Sequence, residues 1–357
     1  MLKMPAKSSR LVYADLLRVL AAFAVVVIHI STRWMPDTQV GSISWAVLCA
    51  YDALTRWCVP LFVMLSGAFL LDPDKTVTLR DLFFKYILRV LAALLVWGSV
   101  YAVLDHGHTD FHFTWPQIKA ALGLVLRGDT HYHLWFLYMI LGLYLVTPLL
   151  RAMIRGSQRG TLHWFFLLAF LFSSLIPVLR GFFPDLMSPV LRWVNQFELH
   201  AVLGYTGYYV AGYYLKHYTL KPPVRRAVYA LGILGAAGTF WINHVLSVRQ
   251  NFFHGDLFVY HSPTVAMMAA AVFLLFRSLP WKPLTGWKRV FSLSASISFG
   301  AFLCHDLFIK LLGYFGITSL SIHPILSVPI LSAAVFLGSL LLSWAISKIP
   351  VVGRLIT

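Results

Sequence analysis

LVYADLLRVLAAFAVVVIHIS, Leu11 to Ser31, decides the fold class of this chain. It is an apolar run of the length that crosses a bilayer as one helix, about 20 residues, yet it carries Asp15, Arg18 and His29. Arg18 and His29 are eleven positions apart, which at about 100° per residue leaves them within about 20° of each other and about 16 Å apart along the axis. The two side chains therefore share one helix face. An ionisable residue inside a span is costly and marks a functional site by default. The plainer account is an Asp15–Arg18 ion pair, three apart on one helix, and a histidine hydrogen-bonded to a neighbouring helix. The functional account is a cation that holds an anion and, further out, an imidazole that moves a proton near neutral pH.

Outward from that run, the whole chain reads the same way. Of 357 residues 59% are hydrophobic and 12% charged, about half the charged share of a soluble protein. Apolar runs recur from end to end, and no polar stretch is long enough for a large soluble domain. An all-α integral membrane protein is expected, one domain over 1–357, with ten spans at about 11–31, 45–71, 82–104, 132–153, 162–180, 198–218, 225–247, 258–278, 289–315 and 325–347. The first run has no small-residue cleavage site and is expected to stay as a helix. With the N-terminus in the cytoplasm, inner segments collect 20 of the 29 Lys and Arg, outer ones 7, and Arg18 and Arg56 lie deep in spans. That bias predicts N-in and C-in. It accounts for much of the net charge of +16 without nucleic acid, for which no basic face with stacking aromatics exists outside the spans. Cys49, Cys58 and Cys304 all fall in apolar runs, an odd set that argues against disulfides.

Several further constellations carry chemistry. Asp52 and Arg56 form an i, i+4 pair in the second span, ahead of Pro60, which bends a helix and frees a carbonyl. A buried pair that locks two helices is the plainer reading. Lys85 and Arg89 sit one turn apart where the third span leaves the cytoplasm, as topology anchors or as a grip on phosphates. His106, His108, His112 and His131 lie in a long outer connection without Cys partners or helical spacing, so no metal is expected. Within that connection, Trp115 to Leu126 spaces Ile118, Leu122 and Val125 on one face, an amphipathic helix expected at the outer interface. His133 opens the fourth span together with Trp135, and His305–Asp306 is an expensive polar pair in the ninth. Glu198 and His200 begin the sixth, most simply as interface residues. By composition alone, a membrane enzyme and a secondary transporter of a small polar or anionic solute fit equally well.

The ordered blocks D-x-x-R-x₁₀-H (Asp15, Arg18, His29), VPLFVMLSGAFLL (59–71), HLWFLYMILGLYLVTPLL (133–150) and SISFGAFLCH (296–305) resemble the membrane-bound acyltransferase 3 family over nearly the whole length. Arg56 before VPLF and the YHLWF run are most similar to the branch containing the O-acetyltransferase of enterobacterial common antigen. The resemblance implies O-acetyl transfer from cytosolic acetyl-CoA to a hydroxyl of an envelope or lipid-linked glycan outside a bacterial inner membrane, with Arg18 and His29 essential. His29 would be the base, with Asp15 beside Arg18. Arg56, Lys85 and Arg89 would meet the donor, and His133, Trp135 and His305 are further candidates. Two departures stand out. The stretch KYILR puts Tyr86 where relatives often have the first arginine of R-x-x-R, and Asp306 replaces the usual proline after the histidine. No extracellular SGNH-hydrolase domain is expected after the tenth span.

Overall fold

The computed structural model describes residues 11–106, 114–127, 130–187, 204–281, 286–350 and 352–356. Every regular element among them is helical. Among the described residues, eight helical segments are long and apolar enough to cross a membrane: Val12–Asp37, Ile43–Leu70, Leu79–Asp105, Tyr132–Gly156, Arg159–Phe182, Pro222–Gln250, Lys288–Tyr314 and Pro324–Ser347. The other two expected spans differ. Pro263–Ser278 is apolar but shorter, and Thr206–His217 follows residues 188–203, which lie outside the described residues. Glu198, His200, His108 and His112 also lie outside them.

Helix α1 (Val12–Arg33) runs through the middle of the bundle. Twelve of its residues are buried, which is why the run lacks the broad polar face of a surface helix. The second span is two helices, α2 (Ile43–Thr55) and α3 (Cys58–Leu70), with the break at Arg56–Trp57. Pro60 explains the break, because it has no N–H to return to the carbonyl one turn earlier, that of Arg56. The third span starts at a capping box, where Thr78 and Asp81 bond each other's backbone. It then makes a π-helical turn over Leu82–Ile87 before continuing as α4 (Leu88–His106). Such turns are rare and frequent at functional sites. Helix α5 (Trp115–Leu126) has the expected bounds. It packs on α4 through Val125, which meets Gly98 and Ala102.

The remaining helices are α6 (Trp135–Gly156), α7 (Arg159–Ala169), α8 (Ile176–Phe182), α9 (Thr206–His217), α10 (Pro222–Gln250), α11 (Pro263–Ser278), α12 (Lys288–Tyr314), α13 (Pro324–Ser347) and the short α14 (Val352–Ile356). Proline in the first turn starts α10, α11 and α13, where its missing N–H costs nothing. Small residues set the closest crossings. A Cβ at Gly67 of α3 would overlap the Tyr209 carbonyl of α9, and one at Gly212 of α9 would overlap the Met64 carbonyl of α3. Gly232 and Gly235 of α10 also lie close against α11, where an added Cβ would overlap the Ala271 side chain and come within 2.5 Å of the Thr264 carbonyl. This is the packing expected where lipid removes the hydrophobic drive between helices and close backbone approach replaces it. Large apolar side chains such as Leu149, Ile233 and Leu341 are exposed on the perimeter.

Part of the basic charge serves helix ends. Arg151 donates to the carbonyls of Leu70 and Asp72 at the finish of α3, and Arg277 to those of Leu215 and Tyr218 at the finish of α9. Both satisfy carbonyls that a helix leaves open at its C-terminus. Cys49, Cys58 and Cys304 are buried and unpaired.

Candidate active site

Near the finish of α1, three elements bring histidines together. The His29 ring stacks on His305 of α12 at 5.0 Å between centroids and meets Tyr132 edge-on at 5.1 Å. His133, at the turn that opens α6, stands edge-on to His305 at 5.0 Å and to His29 at 6.4 Å. His133 and His305 are 2% and 0% exposed.

Partner chemistry assigns the ring nitrogens. His133 Nε2 lies 3.3 Å from the Leu303 carbonyl, which can only accept, so that nitrogen donates. His133 Nδ1 is then an acceptor, and it receives from His131 Nδ1 at 2.7 Å. Both nitrogens of His133 are thus engaged, which makes it a positioning group. His305 Nδ1 donates to the Phe302 carbonyl at 2.6 Å. Its Nε2 is left as a buried lone pair with no hydrogen-bond partner among the described residues. His29 and His305 are therefore the two histidines with a nitrogen available to a substrate.

A polar network supports this cluster from the α4 and α12 side. His131 Nε2 is 3.2 Å from Asp306 and 3.7 Å from Asp105. The Tyr132 hydroxyl donates to Asp306 at 2.7 Å, and Lys310 pairs with Asp105 at 2.5 Å. Tyr101 stacks on His131 at 4.4 Å and donates to Leu303. By sequence His131 counts among the loop histidines, Tyr132 enters only as the first residue of the YHLWF run, and nothing singles out Tyr101. One sign pointed to them: a carboxylate as deep as Asp306 requires partners, and the H-Y-H run at 131–133 is the polar group nearest an expected span.

Toward the start of α1, a cavity of about 390 Å³ is lined by Arg18, Lys85 and Arg89 together. Tyr86, Tyr144, Ser66 and Ser298 line it as well. Its apolar wall is Phe62, Phe136 and Phe302. Phe302 is also 5.9 Å from the His133 ring and 6.0 Å from His305, so one layer of phenylalanine separates the cavity from the histidines. The π-helical turn presents Lys85 and Tyr86 at this cavity one turn ahead of Arg89. Lys85 lies at the rim, 70% exposed and 2.5 Å from Asp81. Arg89 lies over Phe299 at 5.4 Å. A second cavity of about 520 Å³ adjoins the first and shares Arg18, Ser66, Tyr86 and Tyr144 with it. Asp15 lines the second cavity, 3% exposed and 3.7 Å from Arg18.

Arg56 is placed apart from both cavities. It pairs with Asp52 at 2.6 Å and lies over Phe258 and Tyr260 at 5.2 and 5.4 Å. Trp135 stacks on the same Tyr260 ring at 5.7 Å and also contacts Tyr205. So the structure gathers His29, His133 and His305 in one group and Arg18, Lys85 and Arg89 in another. Arg56 and Trp135 form a third, around Tyr260. Among the described residues, no three or more His, Cys, Asp or Glu are arranged to hold a metal ion.

Residues 11–347 match the model of the acyltransferase domain of the acyltransferase-3 family. Neither a curated protein nor a solved structure matches the chain. The family match spans every helix that builds the two cavities and the histidine cluster, so this chain belongs to the acyltransferase-3 family and is a membrane acyltransferase.

Proposed function

We propose that the protein is an O-acetyltransferase of the bacterial inner membrane. It moves the acetyl group of cytosolic acetyl-CoA to a hydroxyl of an envelope or lipid-linked polysaccharide on the outer side. One observation carries this reading: the cavity lined by Arg18, Lys85 and Arg89 ends one phenylalanine layer from His133 and His305, on which His29 stacks. A long thin thioester arm suits such a space, with cations along its entrance and its acyl end directed at the imidazoles. The chain acts as a single acyltransferase unit with ten spans and both termini inside. The likeness of Arg56-x-x-VPLF and YHLWF to the enterobacterial common antigen branch supports a glycan acceptor. Trp135, Tyr205 and Tyr260 offer aromatic faces on which a sugar ring can rest.

In the chemical step, His29 takes the proton of the acceptor hydroxyl as its oxygen forms a bond to the thioester carbonyl carbon. The C–S bond breaks, the electron pair leaves on sulfur, and the proton passes from the imidazolium to the coenzyme A thiolate. Arg18 orients the donor at the meeting of the two cavities, with Asp15 holding the guanidinium. His305 Nε2 is a second acceptor beside His29, and His133 keeps both rings in place.

Arg18→Lys is expected to fail nearly as badly as Arg18→Ala, with kcat/KM lower by on the order of 100-fold, because a planar fork is not replaced by a point charge. Substantial rescue by lysine would show that charge alone is needed there. Sidedness tests the whole reading. In oriented vesicles, acetyl-CoA supplied on the cytoplasmic side is expected to support transfer, with acetylated product on the other side. Equal activity with acetyl-CoA supplied outside would refute transfer across the membrane.

A further inference from the structure

Besides Arg18, the second cavity holds two lysines that have no part in the chemistry above. Three cations converge on the ring of Phe69 near the finish of α3: Arg18 at 5.4 Å, Lys75 at 4.7 Å and Lys216 at 4.9 Å. All three line the cavity of about 520 Å³. Two carboxylates stand close by. Asp72 takes Lys216 at 2.5 Å and His217 at 3.4 Å, and Asp15 is 3.7 Å from Arg18. Among the described residues no carboxylate comes within ion-pair distance of Lys75. The cavity therefore carries positive charge in excess of its carboxylates, and Lys75 is where that excess is concentrated. Lys75 is itself exposed, and its partial burial, and then the neighbouring Lys216 ammonium, hold it below the ordinary lysine range, with Arg18 adding to the effect against the pull of Asp72. An anion between these groups would relieve that penalty.

Lys85, the other lysine near the donor path, is already paired with Asp81 and lies mostly in the open. The cavity with unspent charge is the one beyond Arg18, and Arg18, Ser66, Tyr86 and Tyr144 form a common wall with the first. We propose that the second cavity binds the phosphorylated nucleotide end of the acyl donor, with Lys75 and Lys216 meeting its phosphates, while the thioester arm passes Arg18 into the first cavity. Ammonium groups suit this task because they act as point charges toward phosphate oxygens that approach from several directions. The inference rests on coenzyme A being the donor. An anionic lipid headgroup offers the same phosphate chemistry, so the test separates the two sources.

The full-length protein is reconstituted in nanodiscs of phosphatidylcholine alone, and in others that include phosphatidylglycerol. Calorimetry then measures binding of coenzyme A, of adenosine 3′,5′-bisphosphate, which is the nucleotide end without the arm, and of pantetheine, which has no phosphate. Lys75→Gln is expected to weaken coenzyme A and the bisphosphate about tenfold, the worth of a charge-assisted hydrogen bond, and to leave pantetheine unchanged. Lys75→Glu should weaken the first two further, and Lys75→Arg should restore most of the loss. Folding damage would weaken pantetheine as well and would count against the assignment. An effect of Lys75 seen only in discs with phosphatidylglycerol would assign the cavity to lipid and overturn the nucleotide site. Coenzyme A that binds the wild type, Lys75→Gln and Lys75→Glu equally would overturn this inference alone. Coenzyme A that does not bind the wild type would remove the donor reading beneath it as well.

Discussion

Replacing His29 with alanine is expected to lower acyl transfer by on the order of 10²–10⁴-fold, the usual contribution of a positioned general base, with membrane insertion at the wild-type level. His29 meets His305, His133 and Tyr132 through ring contacts, so truncation takes no hydrogen bond out of the bundle. His29→Phe sharpens the test, because it keeps an aromatic ring against His305 without a nitrogen. Both variants should be equally inactive when transfer from acetyl-CoA is followed in purified protein. More than a few per cent of wild-type turnover in either would exclude His29 as the required base. If His305→Ala were the inactive one instead, the open Nε2 of His305 would be the proton acceptor.

The second large effect is structural. Gly212→Ala is expected to destabilise the protein by about 3 kcal/mol or more, at the upper end of overpacking costs, and to reduce its yield in membranes. The α3–α9 crossing is reciprocal: Met64 and Gly67 on one helix meet Tyr209 and Gly212 on the other, and at each glycine a Cβ would overlap a backbone carbonyl. No side chain can rotate out of the way, so the helices must separate. That movement would also shift Lys216, one turn beyond Gly212, away from Asp72. Gly142→Ala in α6 is the control, since nothing lies within 4 Å of a Cβ there. Thermal unfolding of solubilised protein distinguishes the two. A Gly212→Ala variant that melts with the wild type would show that the crossing is looser than its geometry indicates.

Both expectations lean on α1 and its neighbours, but the two kinds of information differ in origin. Hydropathy and helical period are local, and they were enough for the all-helical membrane class and for the placing of Arg18 and His29 on one face. The bounds of α5 from Trp115 to Leu126 and the interruption caused by Pro60 were legible for the same reason. Partner choice was not. In a membrane the lipid-facing and protein-facing sides of a helix are both apolar, so periodicity does not report which face meets which neighbour. Nothing near His133 in the chain indicates His305, 172 positions on, yet their rings stand 5.0 Å apart. His131 looked like any loop histidine until Asp306 was placed against it. Lys75 and Lys216 looked like topology charges until Phe69 brought them together with Arg18. The sequence by itself determined a membrane helix bundle with a cation and an imidazole on one stripe of α1. The tertiary structure alone decided which histidines keep a free nitrogen and which cations share a cavity, because both depend on contacts between helix faces that are chemically alike along the chain.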